Sequence, residues 1–174
     1  DRKVFTKNNN VLVKGSKGLT NKYGTNVPLI ISWSKLKKIK NEQTPLVDLI
    51  DFYSTFEDLL NVEKKTSNGV SLLPLLLGEN FDERKYITTY YNPMWGSLYK
   101  NRAVYIQNKK YKLYKSGSFY NYQLDPEEKY PLSLISLDES IMNLHTEMDS
   151  ILKKVPDLPE INFNNWQEKL KASN

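Results

Sequence analysis

Cysteine is absent from the 174 residues, so the chain has no disulfide framework, no thiolate nucleophile and no thiolate metal site. A single histidine, His145, rules out a histidine-based metal site or a Ser-His-Asp triad made by this chain alone. No apolar run approaches the roughly 20 residues that a membrane span needs; the nearest candidate, residues 70–77, is interrupted by Pro74. The opening residues, Asp1-Arg2-Lys3-Val4-Phe5, lack the apolar region of a signal peptide. A processed or truncated chain would look the same, and the redox compartment stays open because many secreted proteins also lack cysteine.

Hydrophobic residues make up 39% and charged residues 26%, proportions of a folded domain and not of a disordered tract. The formal net charge of +5 comes mostly from scattered lysines, with one knot at Lys35-Leu36-Lys37-Lys38-Ile39-Lys40. Such charge suits either a solvated lysine-rich surface or attraction to an anionic partner. No nucleic-acid-binding motif accompanies it, so nucleic acid is not an expected partner.

Apolar periodicity divides the chain into two textures. Residues 27–33, Val-Pro-Leu-Ile-Ile-Ser-Trp, form a β-branched apolar run that suits a strand buried on both faces, as in a parallel α/β sheet. Phe52, Phe56, Leu59 and Leu60 fall on one helical face, with Ser54 and Glu57 at capping-box spacing and Asn61 as a left-handed stop. A short apolar segment, helical or extended, then ends at Gly78. After about residue 80, four runs rich in tyrosine and β-branched residues (86–91, 102–107, 110–115 and 118–124) predict an antiparallel sheet with one wet face. Tyr111 and Leu113 take the dry face there, Lys110 and Lys112 the wet one, and Ser116-Gly117 makes a tight hairpin. Asp125-Pro126-Glu127-Glu128 closes the last strand. A helix over about 138–154 would cover the dry face with Ile141, Leu144, Met148, Ile151 and Leu152, beginning at a Ser136/Glu139 capping box. His145 reads as a boundary residue of that helix without a catalytic part.

Several segments, in order, resemble the C-terminal portion of type I sulfatases of the alkaline-phosphatase-like superfamily. Gly15-Ser16-Lys17-Gly18-Leu19-Thr20, followed by Tyr23-Gly24-Thr25-Asn26-Val27-Pro28, is similar to the family's G-K-G-T…G-x-R-V-P stretch. Residues 47–62 resemble its v-D-l-x-P-T-l-l segment, with Ser54 in place of Pro, and Asn68-Gly69-Val70-Ser71-Leu72-Leu73-Pro74-Leu75-Leu76 its d-G-x-S-L-l-P-L-L. Arg102-Ala103-Val104, Tyr111-Lys112-Leu113-Tyr114 and Asp125-Pro126-Glu127-Glu128 resemble its closing R-x-V…y-K-L…D-P-x-E. The resemblance implies an α/β fold in two parts. Residues 1–80 would be the C-terminal segment of the sulfatase core and residues 81–154 a small antiparallel sheet packed by a C-terminal helix (α+β); residues 155–174 read as a tail with one candidate anchor, Trp166.

That resemblance also implies chemistry. The family hydrolyses sulfate esters with a formylglycine made in a C/S-x-P-x-R motif, which is not in this chain, and with a calcium ion held by oxygen ligands. Lys17 takes the place of the active-site lysine, whose ammonium contacts a sulfate oxygen; read alone, it is a solvated lysine in a Gly-rich loop. Asn8 and Asn9 fall where F-T-x-D-N-G supplies calcium ligands, with Asn8 replacing the aspartate, which removes a charge from the site; read alone, they belong to an Asn-rich turn. Asn92, Trp95 and Arg102 sit where members present substrate-facing groups, Trp95 to stack on a sugar or aryl ring and Arg102 to meet a second anionic group, with core packing as the other reading of Trp95. The implied partners are an N-terminal sulfatase portion and a sulfate ester, such as a sulfated glycan, and family habit points to the periplasm or secretion. By itself the chain is expected to be inactive. Two rivals remain: a fragment of another alkaline-phosphatase-like phospho- or phosphonohydrolase, and a non-catalytic module that binds anionic glycans or a protein.

Overall fold

The computed structural model describes residues 5–8, 11–36, 44–62, 68–93 and 96–161. Strands β1 (Phe5–Asn8) and β2 (Val11–Lys14) pair antiparallel, with Phe5 opposite Lys14. The sequence suggests only a strand end near Phe5; the run Val11-Leu12-Val13 adds the β-favouring partner. Beyond β2 the Leu19 amide donates to the Ser16 carbonyl at 2.9 Å, closing a tight turn with Gly18 at φ +80°. A positive φ at that third position is the reason for glycine. Helix α1 (Lys22–Thr25) follows, and the side chain of Asn21 caps it by accepting from the Gly24 amide at 3.1 Å.

Residues 27–33 correct an expectation: no strand forms there. Val27 is 71% and Ile30 88% exposed. A strand needs a neighbour to satisfy its backbone amides and carbonyls, and among the described residues none lies beside this run. Helix α2 (Ile50–Leu60) begins before the predicted start at Ser54, with Leu49 at its N-cap and no side-chain cap there; the Asp51 carboxylate in its first turn reaches back to accept from the Asp48 amide at 2.7 Å. It ends as expected at Asn61, left-handed at φ 51°.

The apolar face of α2 points outward. Phe56, Leu59 and Leu60 are exposed, while Asp51, Ser54, Thr55 and Glu57 are buried. Polar bonds hold the inward side. Asp51 accepts from the Val70 amide at 2.7 Å and from the Arg84 guanidinium, and the Thr55 hydroxyl accepts from the Leu72 amide at 2.9 Å. Those bonds seat helix α3 (Leu73–Leu76), which carries Pro74 in its first turn and Gly78 at φ +69° beyond its end.

Strands β3 (Ile87–Tyr91), β4 (Ala103–Gln107), β5 (Lys112–Tyr114) and β6 (Phe119–Tyr120) make the predicted antiparallel sheet, in chain order. β6 stops short of Leu124 because Asn121 starts a turn, its carbonyl accepting from the Asp125 amide at 2.9 Å. Helix α4 (Glu139–Leu152) covers one face, where Val104, Ile106, Leu113 and Phe119 meet Met148 and Leu152 in the main core. Asp138, in place of Ser136, caps α4 by accepting from the Ile141 amide at 2.9 Å. The second face is not wet. Lys112, predicted to reach solvent, is fully buried beneath the loop that follows β2.

Candidate functional site

Lys17 is the second residue of the Ser16–Leu19 turn, and it is exposed. Its backbone is held from several sides. The Asn101 side-chain amide donates to the Gly18 carbonyl at 2.7 Å, and the Lys22 amide donates to the Pro126 carbonyl at 3.1 Å. Gly24 packs directly beneath: a Cβ there would stand 2.3 Å from the Leu19 carbonyl oxygen and 2.7 Å from that of Ser16. Only a residue without a side chain permits that approach. The result is an ammonium free in solvent on a main chain locked to the sheet.

The deepest attachment runs through Lys112. Its Nζ donates to the Thr20 carbonyl at 2.5 Å and to the Glu128 carboxylate at 2.7 Å. The Tyr114 hydroxyl donates its one proton to the second oxygen of Glu128 and accepts from the Thr20 hydroxyl at 2.9 Å. Rings of Tyr105, Tyr122 and Tyr114 surround the ammonium at 4.6, 5.4 and 5.7 Å, so cation–π attraction adds to the ion pair. Burial pulls the Lys112 ammonium below its usual range, against which Glu128 works. Burial first, and then the bond to Glu128, push the Tyr114 phenol up, so it stays a donor. Glu128 itself sits at φ +57°, a left-handed conformation rare outside glycine, which the bonds of its carboxylate help to hold.

A cleft of about 640 Å³ opens beside this network, lined among others by Thr20, Asn101, Arg102, Tyr114, Lys115 and Glu128. Arg102 and Asn92, singled out separately in the sequence, are joined: Arg102 Nε donates to Asn92 Oδ1 at 2.6 Å, and Nη2 donates to the Pro159 carbonyl at 2.5 Å. Asn92 thus stands behind the arginine and orients it. Lys115 on the same rim pairs with Asp157 at 2.8 Å. Trp95, Asn9 and Trp166 lie outside the described residues, and Asn8 is the last residue of β1. His145 packs edge-on against Phe119, ring centroids 5.1 Å apart, on the core side of the sheet.

Sequence reasoning missed Thr20, Asn101, Lys112 and Glu128 as parts of one constellation. The Lys-Leu and Asp-Pro-x-Glu letters stood in the family pattern, but strand alternation assigned Lys112 to water.

The family resemblance implies a calcium ion, toward which the sequence offers Asn8 and Asn9, with no aspartate at the first of these positions. Such an ion takes six to eight oxygens, usually with carboxylates among them. Among the described residues, no three or more carboxylate, imidazole or thiolate groups gather to hold a metal. Lys17 and Arg102 offer positive charge and hydrogen-bond donors toward an anion.

Comparison with known proteins gives this geometry its relatives. The family described as N-sulphoglucosamine sulphohydrolase, C-terminal, matches residues 17–156, from the exposed lysine to the end of the sheet-and-helix unit. No curated protein matches the chain. Among solved structures, a Bacteroides thetaiotaomicron protein assigned as a sulfatase is similar, at 19% identity and a TM-score of 0.41, over 70% of this chain. The match spans 25% of that protein's length. With most of its length inside one family pattern, the chain belongs to the N-sulphoglucosamine sulphohydrolase C-terminal family.

Proposed function

We propose that this chain forms the rear part of a sulfate-ester hydrolase, in which Lys17 draws charge from the sulfate and Arg102, oriented by Asn92, forms part of the substrate rim. The nucleophile, a formylglycine in this reading, lies on an N-terminal portion, and the substrate class is a sulfate ester such as a sulfated glycan. One observation carries the reading: Lys17 begins the family match and stands on a turn whose main chain is fixed while its ammonium remains in solvent. An ammonium so placed stabilises negative charge that develops on an ester oxygen without reorganising first. Calcium is part of this proposal only through oxygen ligands supplied from beyond the described residues.

The outer face of α2 and the run 27–31 support the same reading. Both present apolar side chains to solvent, among them Phe56, Leu60 and Ile30. Surfaces of that kind suit a seam against the remaining α/β core.

The test is the complete natural polypeptide, assayed on para-nitrophenyl sulfate. Lys17→Ala is expected to lower kcat by roughly a hundredfold or more, the scale of losing one preorganised charge-stabilising donor. The 174-residue chain alone should show no turnover with calcium present. Unchanged kcat in the Lys17→Ala protein, or turnover by the chain alone that Lys17→Ala abolishes, would overturn the reading.

A further inference from the structure

Lys112 is the largest side chain wholly withdrawn from solvent, and burying an ammonium costs more than it returns unless its geometry is used. It does not line the cleft, so it is not placed to touch a ligand there. Both of its hydrogen bonds are spent inside the fold, one of them on a main-chain carbonyl 92 residues earlier, that of Thr20. That carbonyl lies three positions beyond Lys17 in the chain. A bond to backbone sets the height of the loop whatever its side chains are, and the second bond anchors the cation to Glu128 in the closing turn. Tyr114 repeats the arrangement, reaching both Thr20 and Glu128.

We propose that Lys112, with Glu128 and Tyr114, is the positioning device for Lys17: the buried pair holds the loop over residues 16–22 at one height above the sheet, and so places the exposed ammonium. The proposal rests on the functional reading of Lys17 given above. Lateral restraint comes separately, from Asn101 on Gly18 and from the close packing of Gly24. Removing Lys112 therefore displaces the turn more than it unfolds it. A displacement near 1 Å is enough to cost a reaction on the order of a hundredfold.

The experiment is a double-mutant cycle in the complete natural polypeptide on para-nitrophenyl sulfate, with Lys17→Ala, Lys112→Met and the pair combined. Thermal melting checks that each variant is folded. Lys112→Met should lower kcat by roughly ten- to a hundredfold with KM changed less, and should lower it hardly further in the Lys17→Ala background, because a misplaced lysine and a missing one are then the same defect. Tyr114→Phe keeps the ring and removes only the hydroxyl, so it serves if Lys112→Met does not fold. It should give a smaller loss that also vanishes in the Lys17→Ala background. Losses that multiply, or a folded Lys112→Met protein with native kcat, would overturn the positioning role while leaving Lys17 in place. An unchanged Lys17→Ala protein would overturn the reading of Lys17, and this proposal with it.

Discussion

Asp51 shows how one side chain can replace an apolar contact. Its carboxylate is 1% exposed and is satisfied by the Asp48 and Val70 amides and by Arg84, itself 12% exposed. Asp51→Ala would leave a buried guanidinium and two amides without partners. The expected loss is about 3–5 kcal/mol, read from urea unfolding of the chain; a loss below about 1 kcal/mol would mean that water replaces the carboxylate. Asp138 makes a second residue-scale case. The Ile141 amide and then the Ser140 hydroxyl hold its carboxyl below the usual range. A depressed carboxyl contributes stability above its unfolded value, about 3.9, and that contribution is lost as pH falls through the folded value. The thermal midpoint should therefore fall below about pH 4 in part through this group. Asp138→Asn keeps the cap but should flatten that part of the pH profile. At this scale the sequence was partly legible. Asn61 announced a left-handed stop that forms, and the apolar segment does end at Gly78. Ser54 and Ser136, by contrast, had capping spacing and cap neither helix; at α4 Asp138 takes the role.

Among the elements, α2 departs furthest from its sequence. Its apolar stripe is where the periodicity puts it, yet the stripe faces outward, because α3 and Arg84 hold the polar side. Periodicity locates a face and is silent on which side its partner lies. A consequence follows for Phe56, which is 58% exposed. In the 174-residue chain, Phe56→Ala should change stability by less than about 0.5 kcal/mol, as exposed substitutions do. In the complete polypeptide, where the proposed core covers that face, it should cost about 3–5 kcal/mol. Equal costs in both, measured by denaturant unfolding, would remove α2 from the seam. Helix α4 is the contrasting case: its predicted stripe does meet the sheet, with Met148 and Leu152 fully in the core.

At the scale of the molecule, two regions far apart in sequence are stitched at one place. The segment after β2 lies on the sheet face opposite α4, tied by Thr20 to Lys112 and Tyr114 and by Lys22 to Pro126. The sheet is thus covered on both faces, by a helix on one and by a polar-bonded loop on the other. The run 27–31 and the outer face of α2 both expose apolar side chains. No described helix is long and apolar enough to cross a membrane.

By itself the sequence determined what local chemistry can determine: four tyrosine-rich strands in order, the hairpin at Ser116-Gly117, the long helix after Asp138 and the family pattern around Lys17. These depend on alternation, turn residues and spacing within about a dozen positions. Tertiary structure alone decided that residues 27–33 form no strand, that α2 turns its apolar face outward, that Arg102 leans on Asn92, and that Lys112 is buried on Glu128 beneath Thr20. Each of those depends on a partner distant along the chain or outside it. A hydrogen bond or ion pair across such a distance leaves no periodicity to read.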